Sequence, residues 1–326
     1  MTDQDRQQAA AAAEQGRAVQ AEIDAKPSGS GGEESQPQTG ARRYPEPPFP
    51  EQHLQKPGLE SELNPPPMWD APFYKGSGKL EGFSAVVTGG DSGIGRSVAV
   101  LFAREGADVA VIYLEESGDA EVTRQAIEKE GRRCLLIQGD VRDSRFCEQA
   151  VERAVEEFGR LDVLVNNAAY QLHAEEVTDI SDEHFDLTLK TNLYGYFFMA
   201  RAAVKHMKPG AAIVMTGSET AILGSKELLD YSMTKGGIHA FSRSLSANLV
   251  SKGIRVNVVA PGPVWTPLNP ADQEAEQVAQ FGSSTQMKRP AQPEEIAPAF
   301  VFLASPQTSS FITGEVIAIM GGFGSG

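Results

Sequence analysis

The chain predicts a single doubly wound parallel α/β sheet with helices on both faces over residues 81–326, preceded by two segments of different character. Three observations lead there. Short apolar runs alternate with segments of helical period, no linker interrupts the alternation, and the first run ends in a glycine-rich turn. Ser84-Ala-Val-Val-Thr88 reads as a strand buried on both faces. Ile94, Val98, Leu101 and Phe102 follow at helical spacing, and Gly106 stops that helix. The cycle then repeats. Strands are expected at 108–113, 133–138, 161–166, 212–216, 255–259 and 315–320, with helices near 117–130, 143–157, 181–207, 231–250 and 293–304. Right-handed crossovers join such elements into one sheet.

Residues 1–43 are mostly Ala, Gln, Glu, Gly and Ser, too polar to offset the entropy of ordering, so a disordered tail is expected. Residues 44–80 differ. Proline recurs among Tyr44, Phe49, Leu54, Leu63, Met68, Trp69, Phe73 and Tyr74. Proline keeps the backbone extended, and a mere tether has no use for so many apolar side chains. The expectation is an extended arm lying along a folded surface, its own or a neighbouring subunit's.

Composition narrows the function. A net charge of −15 lacks the basic footprint of a nucleic-acid binder. The two cysteines, Cys134 and Cys147, fall in a strand and a helix, which favours a reducing compartment. Five scattered histidines show no metal-ligand spacing, so no metal is expected. With no apolar run of membrane-spanning length and no secretory leader, the expected location is cytoplasmic, away from membranes.

The turn Thr88-Gly-Gly-Asp-Ser-Gly-Ile-Gly95 joins the first strand to the first helix. Glycine is needed there for the tight turn and the close approach of a pyrophosphate, which the helix N-terminus then favours. Farther along, Ser218 ends the fifth strand, and Tyr231 and Lys235 stand four residues apart on one helix face. Read alone, each has a bland explanation: a turn, a strand cap, a helix surface pair. Read together, they describe proton transfer beside a dinucleotide.

Thr88–Gly95, Asn166-Asn-Ala-Ala169, Asn192, Ser218, Tyr231-Ser-Met-Thr-Lys235 and Pro261-Gly-Pro-Val264 together resemble the short-chain dehydrogenase/reductase family, over roughly residues 80–322. The arm resembles that of an N-terminally extended bacterial subgroup, the general stress protein and glucose/ribitol-dehydrogenase-like oxidoreductases. The resemblance implies a Rossmann-type fold and an NAD(P)-dependent enzyme acting on a CH–OH group. It implies that Gly89, Ser92, Gly93, Ile94 and Gly95 meet the phosphates, Asp140 and Val141 the adenine, and Asn167 and Ala168 the ribose side. Pro261, Gly262, Val264 and Thr266 would cradle the nicotinamide amide. Alanine at 169, where the family usually has glycine, is a departure that narrows the pocket.

Tyr113 stands where NAD-specific sites carry an acidic residue, which weights the cofactor slightly toward NADP. Glu115 and Glu116 lie just beyond, and Arg96 either reaches back or is solvated. The implied catalytic set is Asn192, Ser218, Tyr231 and Lys235. Tyrosine titrates near 10, and an adjacent ammonium with the positive nicotinamide ring favours its phenolate. Lys235 would also hold the nicotinamide ribose, Ser218 would position the substrate oxygen, and Asn192 would anchor a water in a proton relay.

The segment 264–290, with Trp265, Leu268, Phe281 and Met287, is expected to be a lid. Tyr170, Gln171, Glu219 and Thr220 would complete a wall suited to a small aldehyde, ketone or polyol, with nothing basic placed for a carboxylate. Gly236 and Gly237 weaken their helix by about 1 kcal/mol each relative to alanine, which close helix approach would explain. Family members associate through this helix, so a homotetramer is expected. The rival reading is a cofactor-binding sensor or scaffold without turnover.

Overall fold

The computed structural model describes residues 38–322 and, ahead of them, Glu14, Ala18 and Ala21 as helical positions. The disorder expected over 1–43 therefore falls largely outside the described residues. Seven parallel strands are described: β1 (Ser84–Thr88), β2 (Asp108–Tyr113), β3 (Cys134–Gln138), β4 (Val163–Asn166), β5 (Ala212–Thr216), β6 (Arg255–Pro261) and β7 (Val316–Ile319). Their order is β3-β2-β1-β4-β5-β6-β7, so the chain reverses its direction of winding between β1 and β4. Ligands of open α/β sheets sit outside the carboxyl ends of the strands at that crevice.

The apolar runs form central strands because helices cover both faces. Every residue of β1, β2, β4, β5 and β6 is buried. The principal helices are α1 (Gly93–Arg104), α2 (Ser117–Lys129), α3 (Ser144–Phe158), α4 (Asp182–Leu189), α5 (Gly195–Ala203), α6 (Leu229–Leu249) and α7 (Pro293–Ala304). One core layer packs β-strand side chains such as Ile112, Ile213 and Val256 against Met199, Ile238 and Leu249. The opposite layer packs Val87, Val109 and Val214 against Leu101, Phe102, Ile296 and Phe300. The expected single helix over 181–207 is instead two, joined by a π-helical turn at Lys190–Tyr194.

The arm lies along its own chain. Phe49, Leu54 and Leu63 are buried with Trp265, Ala271 and Val278 in a third apolar cluster. Phe49 stacks on Trp265 at 4.3 Å between ring centroids. Main-chain bonds run from Phe49 N–H to Ala279 O (2.8 Å) and from Leu54 N–H to Pro270 O (2.9 Å), and the Trp265 indole N–H donates to Pro65 O (2.8 Å). Arg42 pairs with the buried Glu294 at the start of α7 (2.7 Å).

Candidate active site

The glycine turn is fixed from two sides. Gly89 has φ +61°, and a Cβ on it would come within 3.0 Å of Ala168 Cα; a Cβ on Gly95 would come within 1.9 Å of Gly89 O. Strand and helix meet that closely only without side chains. From the β4 side, Asn167 Nδ2 donates to Gly89 O (3.0 Å) and Thr88 O (3.2 Å). The Thr88 hydroxyl accepts from the N–H groups of Asn167 and Ala168.

The arm grips the turn from the other side. Glu60 is buried, accepts from Gly93 N–H (2.6 Å) and pairs with Arg96. Arg96 also donates to Asp91 O and Asp119 O and lies 5.2 Å from the Trp69 ring. Sequence left Arg96 either reaching the cofactor or solvated; the structure shows neither, because an arm carboxylate claims it. Burial raises the Glu60 carboxyl to about 7, against the pull of Arg96 and the Gly93 N–H.

Ser218, Tyr231 and Lys235 converge at the carboxyl end of β5. The Ser218 hydroxyl acts on the Tyr231 phenol, favouring its ionised form, and its Oγ accepts from Thr220 N–H at 3.1 Å. Lys235 Nζ donates to Thr216 O (2.8 Å) and lies 5.3 Å from the Tyr231 ring centroid. Burial lowers Lys235 to about 7. It drives Tyr231 above its ordinary value, with the Asp272 and Glu219 charges adding and Ser218 opposing. A lowered phenol was expected from the lysine together with the positive nicotinamide ring. In the folded chain desolvation outweighs the lysine, since Lys235 itself is pressed toward neutrality.

Asn192 sits in the π-helical turn and is fully buried. Its Oδ1 accepts from Tyr170 N–H (2.8 Å), while Nδ2 donates to Tyr170 O (2.9 Å) and Thr234 Oγ1 (3.0 Å). It ties the strand-β4 loop to α6 beside Tyr231. π-turns recur at functional sites because they re-aim one side chain within a helix.

A cleft of about 1030 Å³ runs across the carboxyl edge of the sheet. Gly89, Ser92, Ile94, Tyr113, Asp140, Val141, Asn167 and Ala168 line one end; Ser218, Tyr231, Lys235, Pro261, Gly262, Val264 and Thr266 line the other. Gly93, Gly95 and Asn192 stand behind this lining and shape it. The glycine cradle at a helix start, opening at the strand reversal, fits a dinucleotide. Asp140 pairs with Arg142 (2.6 Å), and Asp91 and Glu116 share the wall near Tyr113.

The comparisons with known proteins agree with this geometry. The family model described as enoyl-(acyl carrier protein) reductase matches residues 89–324. An uncharacterized oxidoreductase, YhdF, of Bacillus subtilis (strain 168) is 52% identical over 273 residues, 84% of this chain and 94% of that protein. The chain belongs to the short-chain dehydrogenase/reductase family. As a member, it is an NAD(P)-dependent oxidoreductase. Glucose and ribitol dehydrogenase of Daucus carota is 48% identical over 279 residues, 84% of this chain and 96% of that one. A solved short-chain dehydrogenase of Burkholderia cenocepacia, in complex with NADP, superposes with a TM-score of 0.70 at 33% identity, covering 75% of this chain and 98% of that chain.

Sequence reasoning missed what the arm brings to this short-chain dehydrogenase/reductase. Lys56, Pro57 and Gly58 form part of the cleft wall, and Glu60 stands behind the turn. Lys56 puts a basic group in the cleft wall, 3.7 Å from the Asp272 carboxylate. The available signal was slight: charged residues spaced among buried Leu54 and Leu63. No helix of the described residues is long and apolar enough to cross a membrane.

Proposed function

We propose that the protein reversibly transfers a hydride between NAD(P) and a small aldehyde, ketone or sugar/polyol alcohol, with Tyr231 as general acid and base. The observation that carries this is the meeting of Ser218, Tyr231 and Lys235 in the same cleft as the glycine turn. When bound, the nicotinamide supplies or accepts the hydride and, oxidised, adds a positive charge that favours the phenolate.

Ser218 Oγ holds the substrate oxygen where the Tyr231 phenol can reach it. In reduction, Tyr231 gives its proton to that oxygen; in oxidation it takes the proton away. Lys235 keeps an amine donor beside the phenol and holds the nicotinamide ribose. Asn192 fixes Tyr170 and α6 around this group and anchors a water that returns the proton to solvent. Gly89, Ser92, Ile94, Asp140, Val141, Asn167 and Ala168 hold the adenosine and phosphates; Pro261, Gly262, Val264 and Thr266 hold the nicotinamide end.

The slight weighting toward NADP rests on Tyr113 at the end of β2 and on the NADP complex of the Burkholderia relative. Asp91 and Glu116 on the same wall, with Arg96 already claimed by Glu60, favour NAD. Affinities for both dinucleotides decide between them. Dinucleotide oxidation followed across aldehydes, ketones and sugars, in wild type and Tyr231→Phe, tests the activity; dinucleotide binding with no turnover on any carbonyl would leave the sensor reading instead. We also assign a cytoplasmic homotetramer, whose interface would use the exposed Tyr194, Phe197 and Met233.

A further inference from the structure

The arm reaches the substrate end of the cleft as well as the cofactor end. Lys56 lines that wall with Gln171, His173 and Asn269. Its Nζ donates to Gln171 O (2.7 Å), lies 3.7 Å from Asp272 Oδ1 and 5.1 Å from the Tyr170 ring centroid. An ammonium carries three donors. One is committed to Gln171, and the carboxylate stands beyond hydrogen-bond distance, so the head keeps donors for a ligand. Its side chain is 29% exposed.

This cluster adjoins the reacting groups. Tyr170, beneath the ammonium, is held on both its N–H and C=O by Asn192, which bonds Thr234 in α6. The Asp272 charge is felt at the Tyr231 phenol. Asp272 is itself held by His173, whose N–H donates to Oδ1 (2.9 Å) and whose ring Nδ1 lies 2.5 Å from Oδ2. Gln171 is oriented by Asn269 (3.2 Å).

We propose that Lys56, with the side-chain amides of Gln171 and Asn269, is a specificity-determining set that selects a neutral, hydroxyl-rich carbonyl substrate. The inference rests on the carbonyl-reductase reading and names its substrate class. A donor beside an acceptor is what vicinal hydroxyls require, since each hydroxyl both gives and accepts a hydrogen bond. Partial burial strengthens such bonds, and burial does hold Lys56 below the ordinary lysine value, against the opposing pull of Asp272. An anionic substrate is disfavoured, because Asp272 already balances the lysine and Glu219 and Glu227 line the same cleft. A site built of polar groups rejects analogues that leave those groups unpaired.

The test compares substrates of equal carbon count. Steady-state kinetics of the full chain are measured on erythrose, butanal and erythronate semialdehyde for wild type, Lys56→Met and Lys56→Arg, with dinucleotide affinity followed by fluorescence. Wild type is expected to prefer erythrose over both others. Lys56→Met should lower the erythrose-to-butanal ratio of kcat/KM at least tenfold, mainly through KM for erythrose, and Lys56→Arg should restore most of it. An unchanged ratio in Lys56→Met, including equal losses on both substrates, would show a structural tether and overturn the proposal. So would a wild-type preference for butanal or for the carboxylate. Those results leave the hydride-transfer reading standing; failure of wild type to bind either dinucleotide or reduce any carbonyl removes both.

Discussion

Glu60 is almost wholly out of water, between the Gly93 amide and the Arg96 guanidinium, with Asp91 and Asp119 also acting on it. Its carboxyl is raised from 4.5 to about 7, and burial raises Asp91 from 3.8 to about 6. A carboxyl raised by folding favours the native state while protonated. That contribution is complete below the unfolded value and is lost as pH rises through the folded one. Replacing Glu60 by Gln removes its share, so the stability of Glu60→Gln relative to wild type should climb between pH 4.5 and pH 8, by on the order of a few kcal/mol. Urea midpoints at the two pH values measure this; parallel curves would refute it. At this scale Ser218, Tyr231 and Lys235 were legible because strand-end and i, i+4 positions are local. Glu60 and Lys56 were not, since their partners Arg96 and Asp272 lie far along the chain.

The arm and the segment after β6 form one structure. Trp265, expected in a lid, is fully buried between Phe49 and Phe281. The short helix Ala275–Ala279 is bonded to the arm through Phe49 N–H. The roof of the substrate cleft is therefore fastened down by residues some 200 positions earlier in sequence, as in the bond from Trp265 to Pro65. Phe49→Ala should cost about 3 kcal/mol by opening a cavity under the indole. It should also expose 44–80 to protease, whereas the wild-type arm should resist cleavage; equal cutting of both would show the arm undocked. The apolar side chains among the prolines announced a docked arm, but sequence left open which subunit it lies on. The π-turn was hidden for another reason. It holds Asn192, whose bonds to the Tyr170 backbone are tertiary and leave no mark in the apolar pattern of 181–207.

At the scale of the molecule, buried strands alternating with amphipathic helices made the parallel sheet readable, and the glycine turn marked its crevice. The two glycines after Lys235 divide in their roles. A Cβ on Gly237 would meet Leu193 Cδ2 at 3.0 Å, which is packing within the chain, while one on Gly236 would meet nothing. Met233, three residues before Gly236 in the same helix, is exposed, as are Tyr194 and Phe197. An apolar hollow of about 450 Å³ lies next to them, lined by Phe198 and Phe241 among others. Light scattering at micromolar concentration should give four times the 35.0 kDa chain mass; a monomer would contradict the assembly.

The central claim is that the Tyr231 phenol moves the proton in a cleft that also holds the dinucleotide. Removing only its hydroxyl tests that most directly. Tyr231→Phe should keep dinucleotide affinity within about twofold while kcat falls by roughly 10²–10⁴, the usual worth of a positioned acid or base. Turnover retained at near wild-type rate, with the cofactor still bound, would contradict it.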